Sequence, residues 1–232
     1  MEKTSNIPLK LGRISAMLLP LLTLFTFALA ISAVPISGPF CPEECIEYPY
    51  LETAGQWPGD YLWMFPAMLM LLVYLFLFGA VHEQAPEGRR LYSRMSFSFA
   101  LMAAGILVTD YFVQVSVVPV SLMSGETEGI ALLTQYNPHG LFIALEEAGY
   151  LLMSFSFLFL ALVFNRGDRW RRAMRWVGTV TFFSTFTVLV IISLQHGLER
   201  SYRFEIWVIS INWMALILSG ILMWIILKKE WR

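Results

Sequence analysis

Asp110, Glu146, Glu147 and Asn212 each stand inside a long apolar run, where a polar side chain needs a reason to be. An ionisable group at the centre of a membrane-spanning helix costs about 2.5–3.5 kcal/mol on insertion scales and marks a functional site by default. Spacing suggests that the groups meet. Asp110, Gln114 and Val117 follow i, i+4, i+7, so the carboxyl and the amide share a helix face. His139, Ile143, Glu146 and Tyr150 form a second such stripe, and Glu205, Asn212, Ala215 and Ser219 a third. Small residues on the third stripe favour close helix contact. Glu146 and Glu147 are about 100° apart round a helix, so one of them, Glu146 by its stripe, points inward.

The three buried acids share their spans with no Lys or Arg, and Arg200 and Arg203 are the only cations expected on their side of the membrane. Such carboxyls cannot all stay ionised without a partner, because desolvation and mutual repulsion both disfavour the charged form. Either they hold protons, or a cation sits among them. The candidate ligand-binding set is therefore Asp110, Gln114, His139, Glu146, Glu147, Tyr150, Glu205 and Asn212. Asp110, Glu146 and His139 are the candidates for acid–base chemistry. A plainer reading has the acids and Asn212 hydrogen-bonding to one another only to hold helices together.

No metal site is expected. His139 and Glu146 are two turns apart, about 10 Å along a helix axis, and neither His-x-x-x-His nor Glu-x-x-His spacing occurs. No cofactor motif is present either: there is no phosphate-binding loop, nucleophile elbow, haem-ligand pair or lysine within a span before Lys228. Cys41 and Cys45 are the only cysteines. With three residues between them and no second pair to relay electrons, they read as a structural disulfide rather than a redox centre.

The elements that must carry these residues follow from composition. Of 232 residues, 57% are hydrophobic and 14% charged, against about 45–50% and 25% in soluble domains. Six runs reach the roughly 20 apolar residues that a crossing needs, near 14–36, 61–81, 95–121, 138–164, 174–195 and 204–227. The fold class expected is all-α: one polytopic membrane bundle of six transmembrane helices. A signal peptide ending near Ala28-Leu29-Ala30 is the rival account of the first run, which continues apolar to Val34 and is long enough to span. Asn137 and Pro138 read as the cap and first residue of the fourth helix, and Pro20 and Pro66 as kinks in the first two.

Lys and Arg number 14 in the N-terminal tail, the 82–94 and 165–175 connections and the C-terminal tail, against two, Arg200 and Arg203, on the other side. Basic residues stay cytoplasmic, so both termini are expected inside a cell membrane, with the Pro- and Gly-rich 37–60 loop outside. Tyr48, Tyr50, Trp57, Tyr61 and Trp63 read as an interfacial aromatic belt. Arg169, Arg171, Arg172 and Arg175 suit anionic lipid head groups, and so short a loop beside a membrane suits no nucleic acid.

The reading that follows is an outward-facing acidic intramembrane pocket for a cation, a proton or a cationic or hydroxylated small molecule, in transport or sensing. An intramembrane isomerase or hydratase acting on a lipid-like substrate is the alternative. A helical scaffold or partner subunit without a small-molecule site is the third.

Overall fold

A computed structural model describes residues 7–32, 36–164 and 167–229; Lys3, Arg166 and Arg232, counted among the basic residues above, lie outside them. The described chain is helical throughout, without strands. Its helices are α1 (Ile7–Ser32), α2 (Met64–Glu83), α3 (Arg90–Ser116), α4 (Val118–Met123), α5 (Ile130–Leu133), α6 (Leu141–Val163), α7 (Arg169–His196) and α8 (Ser201–Lys229). The six long ones pack in a ring in chain order, α1–α2–α3–α6–α7–α8, which closes where α8 meets α1. Contact between α6 and α8 crosses the ring and pinches it.

Five helical segments are long and apolar enough to cross a membrane. The last, Arg169–Lys229, holds both α7 and α8. A 3-10 turn at Gly197–Arg200 separates the two, with Gly197 at φ +58° and Glu199 out of helical conformation, and they fold back to pack on each other. Their outward faces carry exposed apolar side chains such as Phe183, Val190 and Ile221, as do Phe25 on α1 and Phe76 on α2. A continuous apolar surface of this extent marks contact with a membrane or a partner.

Several boundaries differ from the sequence expectation. α1 already runs at Ile7. The third run breaks at Val117, because Pro119 has no N–H for the next turn and opens the separate helix α4. α6 starts at Leu141 with Gly140 as its cap. Asn137 closes a turn instead: its Oδ1 accepts from His139 N at 2.9 Å and its Nδ2 donates to Ala131 O at 2.6 Å. Pro66 lies in the first turn of α2, where no backbone bond is lost, so it is no kink. The 37–60 connection is folded into short 3-10 turns, and Cys41 and Cys45 within it are disulfide-bonded. Tyr48 is exposed as a belt residue would be, whereas Tyr61 is buried and Trp63 packs inward on Tyr111 and Trp213 at centroid distances of 5.1 and 6.3 Å.

At the basic end, Asp168 caps α7 by accepting from the Trp170 and Arg171 amides, and Lys229 at the end of α8 donates to the same carboxylate at 2.7 Å. The Lys229 bond, then the Arg171 amide, hold this carboxyl below the usual carboxylate range. The tether therefore contributes at neutral pH and is lost as acid protonates Asp168.

Close helix approach depends on Gly178, where an added Cβ would fall 2.3 Å from the Phe157 carbonyl oxygen of α6. Gly178→Ala should destabilise the protein by about 1–3 kcal/mol. Gly105→Ala, on an open face, should stabilise it by roughly 0.5–1 kcal/mol. Thermal unfolding in detergent distinguishes the two; equal effects would mean that α6 and α7 do not meet at this point.

Candidate functional site

The centre of the site is one face of α6, where Glu146, Tyr150 and Ser154 recur every four residues and all are buried. Tyr111 on α3 donates to Glu146 Oε1 at 2.6 Å, and its hydroxyl lies 2.8 Å from that of Tyr150. Trp213 Nε1 on α8 donates to Tyr150 at 2.8 Å. With Glu146 accepting, each hydroxyl has one proton to give, and the bonds run Trp213 to Tyr150 to Tyr111 to Glu146. This hydrogen-bonded ladder ties α8, α6 and α3 together inside the ring.

Above it lies a cavity of about 490 Å³, at the end of the bundle that holds the 37–60 connection. Glu146 from α6, Glu205 from α8 and Asp60 bring three carboxyls to its lining, and among the described residues no Lys, Arg or His lines it. Seven aromatic side chains do, among them Phe27, Trp63, Phe142, Tyr202 and Trp213. Glu205 is half-buried, beside Glu146 and within electrostatic range of Glu147 and Asp110. Asp60 is held by the Tyr136 hydroxyl at 2.9 Å. Burial first, then the neighbouring Tyr61 and Asp60, push this phenol above its ordinary range, so Tyr136 stays a donor.

The expected residues divide. Glu146 and Glu205 come together at the cavity, and Tyr150 stands beneath it in the ladder. Asp110 is 4% exposed and within electrostatic range of Glu146, but it stands behind the wall rather than in it. Its Oδ2, both amide atoms of Gln114 one turn on, and the Tyr61 hydroxyl beside Gln114 are buried without a hydrogen-bond partner.

Three expectations need correction. Glu147 has a cation after all: Arg200, from the turn between α7 and α8, donates to its Oε2 at 2.6 Å. Turn residues are free to fold over a helix end, which span boundaries alone cannot reveal. His139 does not line the mouth; its side chain is 59% exposed and faces Glu199 at 3.3 Å, because α6 starts beyond it. Asn212 joins a deeper cluster: its Nδ2 donates to Ser154 Oγ at 3.1 Å and to Val208 O at 2.8 Å, and Ser154 Oγ lies 3.0 Å from Thr185 Oγ1. α8 begins at Ser201 and α6 at Leu141, so Asn212 is about 16 Å into its helix where Glu146 is about 8 Å into its own.

Sequence reasoning missed Tyr111, Trp213 and Trp63. Tyr111 follows Asp110 and Trp213 follows Asn212, so in each pair the aromatic, 100° further round the helix, is the one that meets the ladder. A polar–aromatic pair within an apolar run was the available signal. Among the described residues, no three His, Cys, Asp or Glu side chains gather closely enough to hold a metal ion.

No family model, curated protein or solved structure matches this chain. The geometry has to carry the functional reading.

Arg200→Gln should cost about 1–3 kcal/mol, because it leaves the Glu147 carboxylate unpaired. Adding Glu147→Gln should restore most of the loss. A double-mutant cycle by thermal unfolding checks the pair; strictly additive losses would mean no coupling.

Proposed function

We propose that this chain is a six-span integral membrane protein with both termini cytoplasmic, and that its outward-facing cavity binds a small organic cation for transport or sensing. The 14:2 division of basic residues supports the orientation. The fold-back of α7 on α8 supports a sixth crossing within the longest apolar segment.

The observation that carries the functional reading is the cavity lining: carboxyls of Glu146 and Glu205 at one end, aromatic walls, and no basic side chain. Aromatic faces attract a cation through the ring quadrupole, by up to about 2 kcal/mol when water is excluded. Carboxylates add charge neutralisation. Together they suit a protonated amine or a quaternary ammonium bearing apolar groups better than a strongly hydrated metal ion. Protons compete for the same oxygens, so affinity should rise with pH.

Benzyltrimethylammonium is a suitable probe, read by fluorescence of Trp63 and Trp213. Binding should saturate, strengthen from pH 5 to pH 8 and weaken at least about tenfold in Glu205→Gln. A signal that never saturates, or one indifferent to Glu205, would remove the cation pocket. Orientation has its own test: Cys45→Ser leaves a single thiol at 41, and Arg171→Cys in a chain with both native cysteines replaced by Ser places one at 171. An impermeant maleimide should label the first and spare the second in intact cells; the reverse pattern would invert the topology.

The enzyme reading has one observation in its favour. Ile31 of α1 and Ile206 of α8 line the cavity and are 65% and 47% exposed. A lipid-like substrate could enter sideways between them, with Glu146 as the acid or base. A scaffold without a small-molecule site gives no role to the carboxyls gathered at an aromatic cavity.

A further inference from the structure

On the outside of the bundle a groove of about 500 Å³ runs between α7 and α8. Val180 of α7 and Trp207, Met214 and Leu218 of α8 form its sides, and all four are exposed. Small side chains at Thr181, Ser210 and Ala215 leave a hollow between these bulky ones. The α7 hydroxyls in the groove are spent on their own helix: Thr181 donates to Val177 O at 2.8 Å and Ser184 to Val180 O at 2.6 Å. What the groove offers a ligand is therefore apolar surface in a trough, which suits an alkyl chain. Ser210 lines this groove and also the acidic cavity, so the two hollows meet at one residue. Ile206, one turn earlier on α8, lines the cavity and is itself exposed, which puts the cavity rim on the same stretch of helix. A chain leaving Glu205 would pass Ile206 and Ser210 and then follow the groove to Leu218, about 12 Å beyond Ser210 along the axis.

We propose that the ligand of the acidic cavity is a single-chain cationic amphiphile, with an amine or quaternary ammonium head against Glu146 and Glu205 and its alkyl tail in the α7–α8 groove. The inference rests on the cation reading of the cavity and adds the tail to it. An ordinary phospholipid fits the groove but not the cavity, because its phosphate would meet the carboxyls of Glu146 and Glu205. An amine without a tail fits the cavity and gains nothing from the groove. A positive head on a long chain satisfies both, and the shared residue Ser210 is where one part of the molecule passes into the other.

The test uses the full-length protein in phosphatidylcholine nanodiscs and a decyltrimethylammonium probe with a photoactivated diazirine at its chain end, the adducts being located by peptide mass spectrometry. Adducts should concentrate on the groove segments 177–184 and 207–218. Benzyltrimethylammonium, which competes for the head position alone, should lower them by about fivefold or more, and Glu205→Gln should do the same. Val180→Phe with Met214→Phe, at two exposed positions that would fill the groove, should drive the adducts elsewhere while benzyltrimethylammonium binds as it does to the native chain. Groove adducts indifferent to both benzyltrimethylammonium and Glu205→Gln would overturn the proposal, since the groove would then take up membrane chains on its own account. Adducts spread evenly over the outward faces of all six long helices would overturn it too. In either case saturable binding of benzyltrimethylammonium would leave the cation cavity standing, whereas a protein that does not bind benzyltrimethylammonium at all loses the cavity reading and the tail with it.

Discussion

Glu146 is a carboxyl held inside a ring of apolar helices, and its need for hydrogen-bond donors governs how the ring closes. Burying a polar group without a hydrogen-bond partner costs roughly 2–7 kcal/mol, a large share of a domain's stability, so the helices that face Glu146 supply hydroxyl and indole groups. α3 brings Tyr111, α6 itself brings Tyr150 and α8 brings Trp213. Those three contacts set the rotation of each helix about its own axis. Once they are made, the faces left outward are apolar, and the cavity above Glu146 is the space that the bulky donors prevent from collapsing.

Below this level the bundle is sealed by ordinary packing with a few polar clasps. Asn212, Ser154 and Thr185 join α8, α6 and α7, and Tyr74 of α2 bonds Ser156 of α6 and packs against Phe78 and Phe157. The cavity thus opens at an acidic, aromatic end, with a filled core beneath it. Arg200 belongs to the acidic end but is engaged by Glu147, so it does not neutralise the cavity carboxyls.

The apolar runs made the helical class plain, and the Glu146–Tyr150 stripe predicted which glutamate turns inward, because four-residue spacing survives any error in where a helix starts. Depth did not survive such errors. Runs drawn from 138 and 204 place Glu146 and Asn212 at one level, eight residues in; in the structure Asn212 bonds Ser154, eight residues beyond Glu146 on α6 and about 12 Å deeper. Loop contacts were out of reach for a different reason. Arg200 meets Glu147 and His139 meets Glu199 across the ends of helices, where no periodicity links the partners. The aromatic walls were visible only as composition, since Trp and Tyr near a span end read equally well as membrane anchors.

The ladder that reaches Glu146 Oε1 also has an end that cannot be reversed. A chain of hydroxyls conducts protons only if every member can turn round and accept where it donated. Indole nitrogen has a proton and no lone pair to offer, so Trp213 is a permanent donor and a proton handed from Tyr111 to Tyr150 finds no acceptor in the indole. What looks like a wire into the bundle therefore has a plugged terminus. A proton that Glu146 takes up from the cavity goes no further along this ladder than Tyr150.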